Sequence, residues 1–266
     1  MTPDIARVAA ILREAAAAEV MPRFQRLAAH EVSEKKPGDI VTAADLGVEA
    51  MLTARLPALV TGSRVVGEEA VHGDPSLIGH IAEAGAVWIV DPIDGTTNFS
   101  EGKPLFAVQL AFVRDGVTRA AWLLDPVRDI MATAEDGAGA WMEGQRLAAA
   151  RPAPLAQMTG ALYAGPTRPG VHPDFKRRAE VYGDARYRRC VGQEYLSLVT
   201  GAIHFALFTR LLPWDHAAGV HIAEEAGAYA RLVDGRVYRP TIAEGYILLA
   251  PDEASWRELR AWFLAP

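Results

Sequence analysis

The chain has 266 residues, of which 50% are hydrophobic and 23% charged, and its formal net charge is −6. This acidic balance argues against a nucleic-acid partner, because nucleic-acid-binding surfaces are basic. No stretch is apolar for long enough to predict a membrane span, and the first residues lack the basic-then-apolar pattern of a signal peptide. Since Cys190 is the only cysteine, no internal disulfide is possible, and we expect a soluble, cytoplasmic enzyme.

The first half of the chain predicts helices followed by an antiparallel sheet. Apolar residues recur at helical spacing over 5–27 and again over 46–56, which predicts two early helices. Between them lies a loop with Lys35 and Lys36, where adjacent lysines are typical of a solvated surface or supply an electrostatic aid to a cleft. From 104 to 147, short apolar runs alternate with turn sequences, which predicts an antiparallel meander.

A proline-rich segment at 151–154 is the best candidate for a domain boundary. Beyond it, strands and helices alternate, which is typical of α/β structure. We therefore predict an N-terminal α+β domain over 1–150 and a C-terminal α/β domain over 151–266. A length in this range allows such halves to pack tightly and share a core.

The most informative motif places Asp91 and Asp94 directly after the apolar run 87–90. The run predicts a buried strand, and Pro92 and Gly95 predict that both acids lie on a loop at its end. Loops held by a rigid strand often carry chemistry. Two acids in this setting also suit a helix N-cap and a solvated turn, so the motif alone leaves both interpretations open.

Further acidic residues occur in two other segments. Glu68 and Glu69 follow another short β-branched run, and adjacent carboxylates repel each other unless a cation or a shared proton relieves them. Asp215 lies at the predicted start of a helix that continues to Glu225, where it suits either a metal site or a simple N-cap. Together the three segments favour a site for hard cations.

In this combination the sequence resembles the inositol monophosphatase superfamily of magnesium-dependent, lithium-sensitive phosphomonoesterases. The resemblance rests on four segments in the family order: a lysine loop with Asp-x-Val-Thr-x-x-Asp at 35–45, Gly-Glu-Glu at 67–69, the long acidic motif at 88–99, and the Trp-Asp motif at 214–219. It implies a layered α/β/α/β/α sandwich with the metal site in the cleft between two halves. It also implies a homodimer that acts on a small phosphorylated metabolite.

The resemblance also implies a set of metal ligands. Glu68, Asp91 and the backbone carbonyl of Ile93 would hold a first Mg²⁺ ion. Asp91, Asp94 and Asp215 would hold a second ion, with Asp91 bridging the two. Glu68 would help to place a weaker third ion, so we expect two or three Mg²⁺ ions per site.

Catalytic and substrate-binding roles follow from the same resemblance. Thr96, hydrogen-bonded to Asp45, would orient the attacking water, and Glu68 would complete the catalytic group. A threonine hydroxyl is too weak a base alone, so Asp45 and the metal must supply the driving force. Gly95 and Thr96 would bind the substrate phosphate through unpaired N–H groups if a helix begins there. Asp215 would contact the substrate as well as the metal.

The predicted substrate pocket departs from the inositol-specific pattern at two places. Phe208 stands where inositol-handling members often have an acid that binds a hydroxyl, and Glu194 and Tyr195 stand where they have small residues. Glu194 and Tyr195 suit either replacement polyol contacts or a helix cap and a packed aromatic ring. Four arginines suggest that the substrate carries a second anionic group, although arginine is normally a surface residue. These are Arg168, Arg188, Arg189 and Arg210.

Three functions therefore stay open. The first is Mg²⁺-dependent hydrolysis of a phosphate monoester of a small polyol or sugar by metal-activated water. The second is the same chemistry on a bisphosphate nucleotide, fructose-1,6-bisphosphate or histidinol phosphate. The third is a non-catalytic, metal-binding regulatory protein, against which the complete set of ligands and Thr96 argue, because a binding protein has no need of them.

Overall fold

The structure is a computed structural model that describes residues 2–162, 175–180 and 188–264. The helices are α1 (Ile5–Ala15), α2 (Ala43–Arg55), α3 (Glu68–Gly73), α4 (Thr96–Ser100), α5 (Phe175–Glu180), α6 (Val191–Val199), α7 (Pro213–Glu225) and α8 (Glu253–Phe263). The strands are β1 (Val32–Lys36), β2 (Asp39–Thr42), β3 (Arg64–Gly67), β4 (Ala86–Asp94), β5 (Ala107–Arg114), β6 (Val117–Asp125), β7 (Ile130–Glu135), β8 (Gly139–Met142), β9 (Gln145–Arg146), β10 (Gly160–Leu162), β11 (Phe205–Phe208), β12 (Tyr229–Leu232) and β13 (Ile247–Ala250). In these ranges, no helix combines the length and the apolarity that a membrane crossing requires.

The larger sheet has seven strands in the order β3-β4-β5-β6-β7-β8-β9. The pair β3–β4 is parallel, and every later pair in the sheet is antiparallel, which confirms the predicted meander. Side chains alternate along β4, since Trp88 and Val90 face one core cluster while Val87 and Ile89 face another. The sheet is thus buried on both faces, which accounts for the continuous apolar run in the sequence.

The molecule has five layers, because the large sheet is covered by helices on both of its faces and a second sheet and helix follow on one side. Helices α1 and α2 cover one face of the large sheet, and α6 and α7 cover the other. On the far side of α6 and α7 lies a four-stranded sheet in the order β10-β11-β13-β12, whose outer face packs against α8. The α/β/α/β/α sandwich that the resemblance implies is confirmed.

The two sheets lie on either side of the proposed boundary at 150/151. The large sheet ends at Arg146 and the small one begins at Gly160. One core cluster nevertheless draws residues from both sheets through α6 and α7, so the halves share their interior. The division into domains stays a prediction.

The first helix is shorter than the predicted span of 5–27. Helix α1 ends at Ala15, a π-helical turn covers Ala16–Val20, and Gln25 takes a left-handed backbone with φ 60°. Pro22 explains why the helical run does not continue beyond Val20, because proline lacks the N–H that a continuing helix requires and its ring clashes with the preceding turn.

Candidate active site

Parallel pairing of β3 with β4 brings two of the acidic segments together. Gly67 is in register with Val90, so Glu68 and Asp91 emerge at the same edge of the sheet. The predicted loop after residue 90 is wrong, because β4 stays paired with β5 through Asp94 with a bulge between Asp91 and Asp94. A bulge bends the strand and re-aims its side chains without ending the pairing.

The carboxylate of Asp94 is held from behind by the start of α6. Its Oδ2 accepts hydrogen bonds from the backbone N–H of Gly192, from Cys190 Sγ at 3.2 Å and from Gln109 Nε2 at 3.2 Å. Burial raises the pKa of Asp94 to about 6, even though these bonds favour the charged form. Cys190 is thus a buried thiol beside an acid of the site.

Asp91 and Asp215 complete the buried acidic cluster. Asp91 is 1% exposed, and its Oδ1 has no hydrogen-bond partner in the part of the chain that the structure describes. Asp215 lies in the first turn of α7 and is half-buried. The pKa of each is raised well above its usual range, first by burial and then by the charges of neighbouring carboxylates. Such a cluster is stable as anions only with a cation among them.

Lys35 supplies one cation to this acidic edge. Its Nζ lies 2.9 Å from Glu68 Oε1 and 2.9 Å from Glu69 Oε1, and its side chain is only 6% exposed. Burial alone would lower the pKa of Lys35, but the two glutamates outweigh it and the pKa is raised. Burial raises the pKa of Glu69 to about 7. The solvated-loop interpretation of Lys35 is therefore wrong, and a lysine relieves the repulsion expected between the adjacent acids.

Glu49, which sequence reasoning missed, holds the start of helix α3. Its carboxylate accepts the backbone N–H groups of Glu69 at 2.9 Å and Ala70 at 2.7 Å. Gly67 permits this approach, since a Cβ there would lie 2.2 Å from Glu49 Oε2. A buried carboxylate on a helix N-terminus satisfies free donors and suits the helix dipole. Glu49 thereby fixes the direction in which Glu68 leaves the sheet.

Asp45 and Thr96 are in contact, as the resemblance implies. Asp45 accepts hydrogen bonds from Thr42 N at 2.8 Å and Thr42 Oγ1 at 2.6 Å, an N-terminal cap that starts α2 three residues before the predicted 46. Thr96 Oγ1 lies 3.2 Å from Asp45 Oδ1 and 2.8 Å from the carbonyl oxygen of Ile93. Burial raises the pKa of Asp45 to about 7. The single hydroxyl proton of Thr96 therefore has two competing acceptors.

Gly95 is the N-cap residue of the short helix α4 and has φ 88°, in the left-handed region that favours glycine. A Cβ at this position would lie 2.9 Å from the carbonyl oxygen of Leu105 and 3.1 Å from Cys190 Cβ. A larger residue would therefore be both strained and crowded. Phosphate binding by Gly95 and Thr96 stays a prediction.

Glu194 is 1% exposed, and its Oε1 accepts the backbone N–H of Arg188 at 2.7 Å. Burial raises the pKa of Glu194 to about 7. In this structure the carboxyl group holds the segment that leads into α6 at Arg188, two residues before the N-cap residue Cys190, so this bond is not a cap of the helix. Its role as a substrate contact stays a prediction.

Phe208 and Tyr195 fill the interior beside Asp215. Their rings lie 5.2 Å apart between centroids, and both are buried. The Tyr195 hydroxyl lies 2.9 Å from His216 Nδ1, and His216 Nε2 lies 2.7 Å from the carbonyl oxygen of Arg210. Since Nε2 must donate to the carbonyl, Nδ1 accepts from Tyr195. Tyr195 is thus a packed aromatic ring, and no sequence signal pointed to this chain of hydrogen bonds.

The donors at this edge suit a hard cation, because all of them are oxygen atoms. Among the described residues, no three carboxylate, imidazole or thiol groups form a complete metal site by themselves. Magnesium usually keeps several waters and takes few protein ligands. The oxygen donors of Glu68, Asp91 and the Ile93 carbonyl suit such an ion, and their assignment to a first ion stays a prediction. The unpaired Asp91 Oδ1 is the observation that most directly calls for one.

A model of the inositol monophosphatase family matches residues 4–265 of the chain. The chain belongs to the inositol monophosphatase family. Members of this family hydrolyse phosphomonoesters, and the family is metal-dependent, typically on Mg²⁺. The resemblance inferred from the four motifs is confirmed, as is the prediction of a phosphomonoesterase.

Individual members show how broad the family is. The chain is 30% identical to a fructose-1,6-bisphosphatase/inositol-1-monophosphatase of Thermotoga maritima. The aligned region has 210 residues and covers 76% of each of the two chains. It is 28% identical to a histidinol-phosphatase of Chlorobaculum parvum, over 98% of this chain and 96% of the relative. A crystal structure of inositol monophosphatase II from Staphylococcus aureus superposes with a TM-score of 0.80 at 25% identity, over 98% of this chain and 93% of that one.

Proposed function

We propose that this member of the family hydrolyses the phosphate monoester of a small polyol or sugar, with Mg²⁺ ions held by Glu68, Asp91, Asp94 and Asp215 and by the carbonyl of Ile93. The observation that carries the proposal is the buried acidic cluster at one sheet edge, in which Asp91 Oδ1 lacks a partner among the described residues. When bound there, Mg²⁺ supplies an activated water and charge stabilisation for the leaving oxygen.

Residues of the chain itself would orient the attacking water. If the Ile93 carbonyl is engaged by a cation, the hydroxyl proton of Thr96 is left with Asp45 as its acceptor. The lone pairs of Thr96 Oγ1 take no part in that donation, so they can accept a hydrogen bond from the water. Burial raises the pKa of Asp45 towards neutral pH, which suits a group that takes up and returns a proton.

The identity of the substrate is the open part of the proposal. The named activities of the relatives include inositol-1-monophosphatase, fructose-1,6-bisphosphatase and histidinol-phosphatase. Phe208 is buried and cannot accept a hydrogen bond from a substrate hydroxyl, which argues against inositol-1-phosphate. A homodimer, a cytoplasmic location and sensitivity to lithium stay predictions.

Phosphate release from a panel of esters tests the proposal. The panel contains inositol-1-phosphate, sugar phosphates, sugar bisphosphates, a nucleotide bisphosphate and histidinol phosphate, each assayed with Mg²⁺ and then with a chelator. We expect turnover of at least one ester that the chelator abolishes. We expect Asp91→Asn to abolish it as well, while Asp129→Asn, which changes an acid with a 75% exposed side chain, retains it. Silence of the folded wild type across the panel would favour the regulatory, non-catalytic alternative.

A further inference from the structure

A pocket of about 290 Å³ opens beside the acidic edge. It lies between the β1–β2 hairpin, helix α3 and the segment that leads into α7. The charged side chains in its wall include Lys35, Lys36, Asp39, Glu68 and Arg210. Because Glu68 belongs both to this wall and to the proposed metal site, the pocket adjoins that site. We call it the Arg210 pocket.

Among the described residues, the wall of the pocket carries an excess of positive charge. Its two acids, Asp39 and Glu68, lie 3.9 Å and 2.9 Å from Lys35 Nζ and share that one cation, and Lys36 and Arg210 bring the charge of the wall to +1. Lys36 and Arg210 are exposed, and neither side chain forms an ion pair or hydrogen bond with any residue in the described ranges. Two such cations on one small pocket favour an anionic ligand.

Arg210 is also linked to the acidic cluster. Its positive charge lowers the pKa of Asp215 against the larger effect of burial, so the guanidinium lies within electrostatic range of the cluster. Its backbone is fixed because His216 Nε2 donates to the Arg210 carbonyl at 2.7 Å, and His216 in turn accepts from the buried Tyr195. The main chain of Arg210 is therefore held in place while its side chain faces the pocket unpaired.

We propose that the Arg210 pocket binds a second anionic group of the substrate, a phosphate or a carboxylate, while the ester phosphate lies at the acidic cluster. Arg210 binds this group through its planar fork of N–H donors, and Lys36 contributes a second charge. The preferred substrate is then a phosphomonoester that carries a further anion. This inference rests on the proposed function, since the orientation of the substrate follows from hydrolysis at the acidic cluster.

Two matched pairs of esters test the inference, and they distinguish a phosphate from a carboxylate as the second anionic group. Fructose-1,6-bisphosphate is compared with fructose 1-phosphate, which lacks the second phosphate. 3-Phosphoglycerate is compared with glycerol 3-phosphate, which lacks the carboxylate. For each ester, kcat/KM is measured with Mg²⁺ for the wild type and for Arg210→Met, Arg210→Lys and Lys36→Met. The Kd is measured by calorimetry on the same proteins with Thr96→Ala added, because loss of the group that orients the attacking water should slow hydrolysis during the titration. Arg151→Met, which removes an exposed arginine outside the pocket, is the matched control.

We expect the wild type to prefer the member with the second anionic group in at least one pair by about tenfold or more, as a charge-assisted pair of hydrogen bonds provides. Arg210→Met should lose that preference in both kcat/KM and Kd, while its values for the member without the second anionic group change less than about threefold. Arg210→Lys should lose part of the preference, because lysine keeps the charge without the fork. The pair that shows the preference identifies the second group as phosphate or carboxylate.

Equal losses on both members of each pair would overturn the inference, because Arg210 would then act only on the charge of the acidic cluster. An unchanged preference in Arg210→Met would overturn it as well. The binding measurement keeps this inference separate from the proposed function. If no ester is hydrolysed, the proposed function fails, whereas the Kd ratios of the wild type and Arg210→Met still decide whether the pocket selects a second anion.

Discussion

Replacing Glu49 by alanine should weaken both the fold and the metal site, although Glu49 itself is not among the proposed ligands. Its carboxylate accepts two backbone N–H groups at the start of α3, at 2.9 and 2.7 Å, and it is 7% exposed. The residue at the head of that helix is Glu68. We therefore expect Glu49→Ala to free the first turn of α3 and to loosen the position of the Glu68 carboxylate.

The magnitude follows from the two hydrogen bonds. A bond to a charged group contributes about 1.5–3 kcal/mol net. Burial raises the pKa of Glu49, which shows that desolvation offsets part of this gain, so we take the lower end of the range. Glu49→Ala should then lower the free energy of unfolding by about 3 kcal/mol, or the Tm by about 6–10 °C for a chain of this size. Glu49→Gln keeps one acceptor oxygen and should lose about half as much.

Thermal unfolding by circular dichroism in EDTA measures the loss of stability in Glu49→Ala. The Mg²⁺ concentration for half-maximal phosphate release measures the weakening of the metal site. We expect Glu49→Ala to raise this concentration about tenfold, or ~1.4 kcal/mol. Glu258→Ala, which removes an exposed glutamate from another helix, is the matched control. A Tm within about 1 °C of the wild type would refute the capping argument. A lower Tm with an unchanged Mg²⁺ requirement would refute the inference that Glu49 positions the Glu68 carboxylate.

Three further predictions concern the acidic cluster. Asp94→Asn should lower kcat by about a thousandfold or more with an unchanged circular dichroism spectrum, and near-wild-type activity would contradict the metal assignment. Lithium should inhibit phosphate release by displacing the second ion, and insensitivity at high lithium would count against a second ion at Asp94 and Asp215. Without metal, stability should fall as pH rises from about 5 to 8, because the folded pKa values of Asp94 and Asp45, about 6 and about 7, lie above the unfolded value near 4. The Tm in EDTA measures this loss, and a Tm that is flat or rises over this range would disprove it.

The layers of the fold could be predicted from sequence because each strand and helix has a clear pattern of apolar residues. The run at 87–90 is buried on both faces, and the turns after 104 mark the meander. Boundaries depended on single residues that the periodicity does not reveal. Pro22 stops the first helical run beyond Val20, and the cap formed by Thr42 and Asp45 starts the second helix early.

Within the site, motifs predicted the residues but not their partners. The contact between Thr96 and Asp45 spans 51 residues and followed from the resemblance rather than from spacing. Lys35 looked like part of a solvated loop, since nothing local shows that the β1–β2 hairpin folds over Glu68. In the sequence, Glu49 is indistinguishable from an ordinary polar residue on the surface of a helix. Long-range hydrogen bonds of this kind arise only when the strand register places the segments side by side.

We propose above all that the acidic edge of the large sheet holds the ions of a metal-dependent phosphatase. The most direct test is a crystal structure of the protein soaked in Mn²⁺ and phosphate, with ions located by anomalous scattering. We predict one peak bound by Glu68, Asp91 and the Ile93 carbonyl, and a second bound by Asp91, Asp94 and Asp215. An empty cluster at millimolar Mn²⁺, with or without phosphate, would contradict the account.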